Sequence, residues 1–368
     1  SRGLGDVYKR QCYTYLGNMD EQLYCEAMTD NAYTKQPNDA TQNIGNGSYS
    51  TADPYVKKVW DGRYTGIRMC NELLENIDRV PDLDPELKKR YIGEAKVLRA
   101  YNYYELYTKF GDIPYTTKVL SIKESMSIAR TAKATVIANV LADLDEVING
   151  NYLPTSYDAD NKGRITRWAA MAIKAKIYLF EGNWTQVKNI TSTIMTEGGF
   201  KLFGSYAGLF EIANEYNSEV ILDAQYRPTS REHQMMYVFL PPTLGGYSQL
   251  SPLQELVDSY IMLDGKTIKE TGTSFDESHP YANRDPRLKA TVMYTGNSYT
   301  LADGTEVVIN CEKGEGKDGY GVGSDCSATG YYIKKYWDNT YRATLYSGLN
   351  PILIRYADIL LMLSLIHI

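Results

Sequence analysis

Trp337, Asp338 and Asn339, with Tyr341, Arg342 and Tyr346 close behind, set flat rings among forked polar groups. That mixture suits noncovalent capture of a sugar. Rings meet its apolar C–H face, while carboxylate, amide and guanidinium groups meet its hydroxyls. Tyr247 and Gln249 in LGGYSQ form a second cluster of this kind. Tyr33 and Tyr49, ahead of the first long helix, form a third. On this reading Trp337→Ala weakens glycan retention without lowering the melting temperature. The chain holds 33 tyrosines against 7 phenylalanines, a bias toward wet, half-buried surfaces rather than a dry core. Most of those tyrosines are expected at the rims of packed helices.

Covalent and cofactor chemistry finds less support. His233, His279 and His367 stand in neither HExxH nor GxSxG. GEGKDG (Gly314–Gly319) has the spacing of a dinucleotide loop but neither a strand before it nor a helix after it, and reads as a flexible loop. DADNKG (Asp158–Gly163) begins like a calcium loop, but Lys162 occupies a ligand position and Ala169 stands where a bidentate glutamate belongs. No metal or cofactor is therefore expected. The cysteines, Cys12, Cys25, Cys70, Cys311 and Cys326, are odd in number and lack a CxxC pair. Neither zinc nor a disulfide framework is indicated, although Cys311 and Cys326 share a glycine-rich stretch and could pair in an exported protein. A glycosidase-type carboxylate pair has no local signature and stays open, but no stretch alternates strand and helix as a barrel hydrolase would. A net charge of -6 without a long basic run argues against nucleic acid as a partner. No segment reads as a bilayer span or a signal peptide.

The elements that must position these groups are mainly helical. Apolar residues recur at helical spacing from about Pro54 to Asp78, Pro85 to Phe110, Lys133 to Ile148, Thr166 to Leu179 and Thr185 to Thr196. VPDLDP and FGDIP supply the breaks. Ala169, Ala172 and Ala175 permit close helix approach. Paired helices with short turns predict a tetratricopeptide-like scaffold over 54–197, resumed by PILIRYADILLM in 350–362. Between them, about 198–349, Gly, Pro, Asn, Asp and Tyr predict a loop-rich region with short strands at EVILDAQY and VVIN. SPLQELVDSYIML predicts a helix capped by Ser251 with Pro252 at its first position. NRDPRL (Asn283–Leu288) predicts an Asx-type turn leading into a strand, its arginines bonding to backbone carbonyls. Trp60, Trp168 and Trp184, within or beside helices, are expected in the core.

Six segments, in order, resemble the SusD/RagB family: GEAKVLRAYNYYELYTKFGDIPY, TVIANVLADLDEVINGNYLP with GRITRWAAMAIKAKIYLFEGNW, SPLQELVDSYIMLDGKTI, YANRDPRLKATV, GYYIKKYW and RYADILLM. The resemblance spans about Asp30 to Met362. It implies an all-α (mainly) tetratricopeptide scaffold carrying a loop-rich ligand face. It implies a surface-exposed outer-membrane lipoprotein of Bacteroidetes-type bacteria that binds glycan and sits on a SusC-like TonB-dependent transporter without catalysing a reaction. A peptide-binding RagB-like role is the alternative within the family. A carboxylate-dependent glycoside hydrolase and a purely structural adaptor are the alternatives outside it. SRGLGDVYKRQ (1–11) and LSLIHI (363–368) resemble translated sequencing-adapter tails around a single domain, 12–362. On that reading the lipid-bearing cysteine lies upstream of Cys12.

Overall fold

The computed structural model describes residues 9–35, 41–341 and 345–365. Five long helices follow one another: α1 (Pro54–Asn76), α2 (Pro85–Phe110), α3 (Lys133–Asn149), α4 (Arg167–Phe180) and α5 (Trp184–Glu197). Each packs on the next, and α6 (Tyr356–Leu365) returns to pack on α5. The starts are written locally. Asp53 and Asp84 accept the N–H groups of Tyr55 and Leu87, and each is followed by proline at the first helical position. Thr166 and Asn183 cap α4 and α5 by accepting from Ala169 and Gln186. Ala169, Ala172 and Ala175 are fully buried, so α4 can approach its neighbours closely.

This scaffold carries the larger core, with Leu98, Tyr103, Leu144, Ile173 and Ile194 among its buried side chains. A second core lies under the loop-rich region and takes in Met236, Phe239, Leu250, Tyr332, Trp337 and Leu345. Met19, Leu23, Ala27 and Ala32, well ahead of α1, join that second core. Among the described residues, four two-stranded antiparallel ladders stitch the loops. β1 (Ala32–Thr34) pairs with β3 (Leu250–Pro252), and β2 (Val220–Asp223) with β8 (Ile352–Arg355). β4 (Val292–Met293) pairs with β7 (Tyr332–Ile333), and β5 (Ser298–Thr300) with β6 (Glu306–Val308).

Three expectations need correction. The stretch 251–263 is not one helix. Ser251 and Pro252 end β3, and the helix runs only from Gln254 to Ser259. Arg284 stops it by donating to the carbonyls of Val257 and Tyr260, which are thereby drawn out of helical bonding. PILIRY likewise opens as strand, because β-branched Ile352 and Ile354 find a partner in β2 before α6 begins. Trp184 is 50% exposed, at the first position of α5 where the chain has just turned away from the core. NRDPRL behaves largely as expected: Arg284 holds backbone carbonyls, Arg287 forks onto Asp285, and a short helix (Pro286–Thr291) precedes β4. Cys311 and Cys326 are both buried and both free.

The β2–β8 ladder spans the two cores, with Leu222 and Ile354 in the first and Ile352 against the second. Its far end holds a polar knot. Asn350 donates its side-chain amide to Asp223 at 3.1 Å and its backbone N–H to Glu215 at 2.8 Å, while Gln225 also donates to Asp223. Burial pushes the Asp223 carboxyl up to about 6 and that of Glu215 up to about 7. A raised acid pKa means that the folded state holds its proton longer than the unfolded chain does. Stability from this group therefore falls as pH rises from about 4 through about 6. For Asp223 the loss amounts to about 3 kcal/mol. Urea denaturation across pH 4–8 should show wild type losing that much relative to Asp223→Asn, and parallel curves would refute it.

Candidate ligand-binding face

The sequence nominated three aromatic clusters, and the fold treats them differently. Trp337 is 8% exposed, edge-on to Tyr299 with ring centroids 5.3 Å apart, and Lys334 Nζ sits 5.2 Å from its ring. Asp338 is buried and structural, accepting from Thr340 N at 2.9 Å, Thr340 Oγ1 at 2.6 Å and Ser347 Oγ at 2.6 Å. Asn339 is half-buried and bridges Ala302 N and Thr300 O. Trp337 and Asp338 are corrected from ligand platform to core and turn: YYIKKYW enters the second core as β7, and the chain carries Trp337 in after it. Tyr341 lies in a short 3-10 turn, and nothing is described of its side chain. Arg342 lies outside the described residues. Tyr346, in contrast, is 40% exposed between buried Leu345 and Ser347.

The other two clusters converge in part. β1 places Tyr33 opposite Ser251 of β3, and Lys35 N donates to Gln249 O at 3.0 Å. Because side chains alternate along a strand, Ala32 and Thr34 are buried while Tyr33, on the other face, is half-buried. Gln249 N donates to Val238 O, and Tyr247 N to Tyr237 O at 2.9 Å. Tyr247 lies beside Tyr237, ring centroids 6.2 Å apart at 35°, both half-buried. Gly246 makes the turn possible, since a Cβ there would lie 2.1 Å from Leu240 O. Leu345 packs against Gly245, and Ser347 exchanges backbone bonds with His233, so Tyr346 stands one residue from each contact. Tyr33, Tyr237, Tyr247, Gln249 and Tyr346 thus lie on or next to short segments tied to one another by backbone bonds and contacts. Gln249 Oε1 is buried without a hydrogen-bond partner among the described residues. Tyr49 is 53% exposed.

Behind β1 and β3, on the face of Ala32 and Leu250, lies a cavity of about 400 Å³ walled by Tyr206, Phe210 and Tyr336. Lys335 reaches into it, its Nζ 4.1 Å from the Phe210 ring, and burial lowers its pKa. Burial likewise lowers that of His233, whose Nε2 lies 3.1 Å from Leu349 O. Sequence reasoning missed Tyr237 because MMYVFL reads as plain apolar core. Tyr206, Phe210 and Lys335 carry no local signal, since they meet only through the fold.

Two family models divide the chain between them. One, described as starch-binding and associating with the outer membrane, matches residues 5–179; the other, the SusD family, matches 209–364. The chain belongs to the SusD/RagB family. It is 32% identical over 226 residues to SusD-like protein P25 of Formosa agariphila, a stretch covering 60% of this chain and 42% of that protein. A SusD-like carbohydrate-binding protein from Bacteroides fragilis superposes with a TM-score of 0.88 at 23% identity, covering 100% of this chain and 74% of the other. A laminarin-binding SusD-like protein follows at 0.77 and 22%, covering 99% and 80%. These likenesses establish the SusD fold, a mostly helical scaffold with few short strands. Among the described residues, no helix of this SusD-family chain is long and apolar enough to cross a membrane.

Proposed function

We propose that this SusD-family chain binds glycan noncovalently on the face built by Tyr33, Tyr237, Tyr247, Gln249 and Tyr346. It would then deliver the glycan to a SusC-like TonB-dependent transporter at the outer-membrane surface, held there by a lipid anchor. The observation that carries the reading is the half-buried Tyr237–Tyr247 pair, with Tyr237 on a short helix (Met235–Phe239) and Tyr247 on the loop to Gln249 that is bonded through its backbone to that helix and to Lys35 after β1. Rings offered this way stack on the C–H faces of a sugar, and rigid mounting limits the entropy lost on binding. Family membership and the carbohydrate binding of the B. fragilis and laminarin-binding proteins support it.

Affinity is expected in the micromolar to millimolar range, on the order of 4–8 kcal/mol. Affinity gel electrophoresis over a panel of plant, algal and microbial polysaccharides tests the face. Tyr247→Ala combined with Tyr346→Ala should weaken retention about tenfold or more, with the melting temperature held within a few degrees. Unchanged retention on every bound glycan would remove the face. Binding to a peptide library alone would favour the RagB-like role, and shortened products after incubation would reveal a hydrolase. Delivery is tested separately, by co-purification with a TonB-dependent transporter from outer membranes.

A further inference from the structure

A cleft of about 340 Å³ opens where the scaffold meets the loop-rich region. Its walls come from three separate stretches: Thr155 to Thr166 before α4, Gly198 to Phe200 after α5, and Tyr216 to Asp223 leading into β2. Tyr216 is 40% exposed in it and is held at φ 60°, a left-handed backbone that costs a bulky residue energy. The ring is only partly covered. Its hydroxyl donates to Gln225 Oε1 at 2.5 Å, and Gln225 in turn donates to buried Asp223, which Asn350 holds from the other side. An exposed ring is thus clamped by its far end into the knot that joins the two cores. Lys162 Nζ lies 5.8 Å from the ring centroid. Gly163, at φ 82°, lies where a Cβ would collide with the Gln225 side chain, so the 158–163 loop can close onto this wall only with glycine there.

The geometry points to a second carbohydrate subsite, in which a pyranose ring stacks on Tyr216 with its hydroxyls toward Ser156, Asn217 and Lys162. Backbone strain kept at an exposed aromatic, together with a cleft of sugar size that mixes apolar and polar walls, is what a preorganised stacking platform needs. The subsite rests on the glycan-binding reading above but not on the same residues. A long chain engaging both places would gain by avidity, whereas a short one would occupy them separately.

The test uses affinity gels on the same polysaccharide panel, comparing wild type, Tyr216→Gly, Tyr216→Phe and the Tyr247→Ala/Tyr346→Ala pair. Tyr216→Gly removes the ring and relieves the left-handed strain, so its melting temperature should hold or rise. Its retention on polysaccharides that wild type binds should fall about three- to tenfold. Tyr216→Phe keeps the ring and should lose less than Tyr216→Gly. Retention of Tyr216→Gly equal to wild type on every bound polysaccharide overturns the subsite, while loss in the Tyr247/Tyr346 pair would leave the main face standing. Absence of binding by wild type to the whole panel overturns both.

Discussion

Trp337→Ala is expected to lower the free energy of unfolding by about 3–5 kcal/mol, the usual cost of removing a large aromatic from a packed core. The indole is among the buried side chains of the second core, with Met236, Phe239 and Leu345, and it meets Tyr299 edge-on. The void would leave the Tyr299 ring and the Lys334 ammonium facing empty space. Its backbone N–H donates to Lys334 O at 3.1 Å, closing the turn that delivers Asp338 to Thr340 and Ser347, so the damage should spread along that turn. Urea denaturation reads the loss directly. A change below about 1 kcal/mol, combined with lost glycan retention, would restore Trp337 to the ligand face and refute its role in the core.

Glu94→Ala is expected to cost a similar amount, about 3–5 kcal/mol, for a different reason. Glu94 lies on α2 and is 0% exposed. Its Oε2 accepts from the Tyr13 hydroxyl at 2.7 Å, Arg90 Nε lies 3.2 Å from Oε1, and Arg164 Nη1 lies 3.8 Å from Oε2. Tyr13 also accepts from Ile165 N at 3.0 Å, so one carboxylate joins the N-terminal segment, α2 and the loop before α4. Burial raises the pKa of Glu94, while Lys9, Tyr13, Arg164 and Arg90 oppose the rise. Alanine would remove the negative charge and leave the surrounding cations in low dielectric without it. Glu94→Gln keeps the shape and one acceptor and should cost less than alanine. Thermal and urea unfolding of the two variants check the order, and equal stability of wild type and Glu94→Ala would refute the argument.

Legibility from sequence followed the range of the forces involved. The five long helices were readable nearly to the residue, because Asp53, Asp84, Thr166 and Asn183 are caps that act within one turn and Gly111 ends α2 at φ 70°. Short elements were read less well. The helix expected over 251–263 shrank because Arg284, more than twenty residues away, takes its carbonyls. PILIRY turned to strand because β2, over a hundred residues earlier, offered it a ladder. Of the candidate site, Tyr247, Gln249, Tyr33 and Tyr346 lie on or next to segments tied to one another, Tyr49 is exposed, and Trp337 and Asp338 are interior. A tryptophan among polar residues in a loop reads as exposed when only its neighbours in sequence are considered. Its actual neighbours, Tyr299 and Met236, are distant in the chain.

By itself the amino-acid sequence determined the helical scaffold, the presence of a loop-rich region and the SusD/RagB family. Capping, periodicity and ordered motifs depend on residues a few positions apart, and those distances are set by covalent geometry. Only the tertiary structure decided which aromatics face water, how segments before α1 join the second core, and where Tyr216 meets Gln225 and Asp223. Burial is a property of what lies across space, and for loops held by short ladders and single arginines that partner comes from anywhere in the chain.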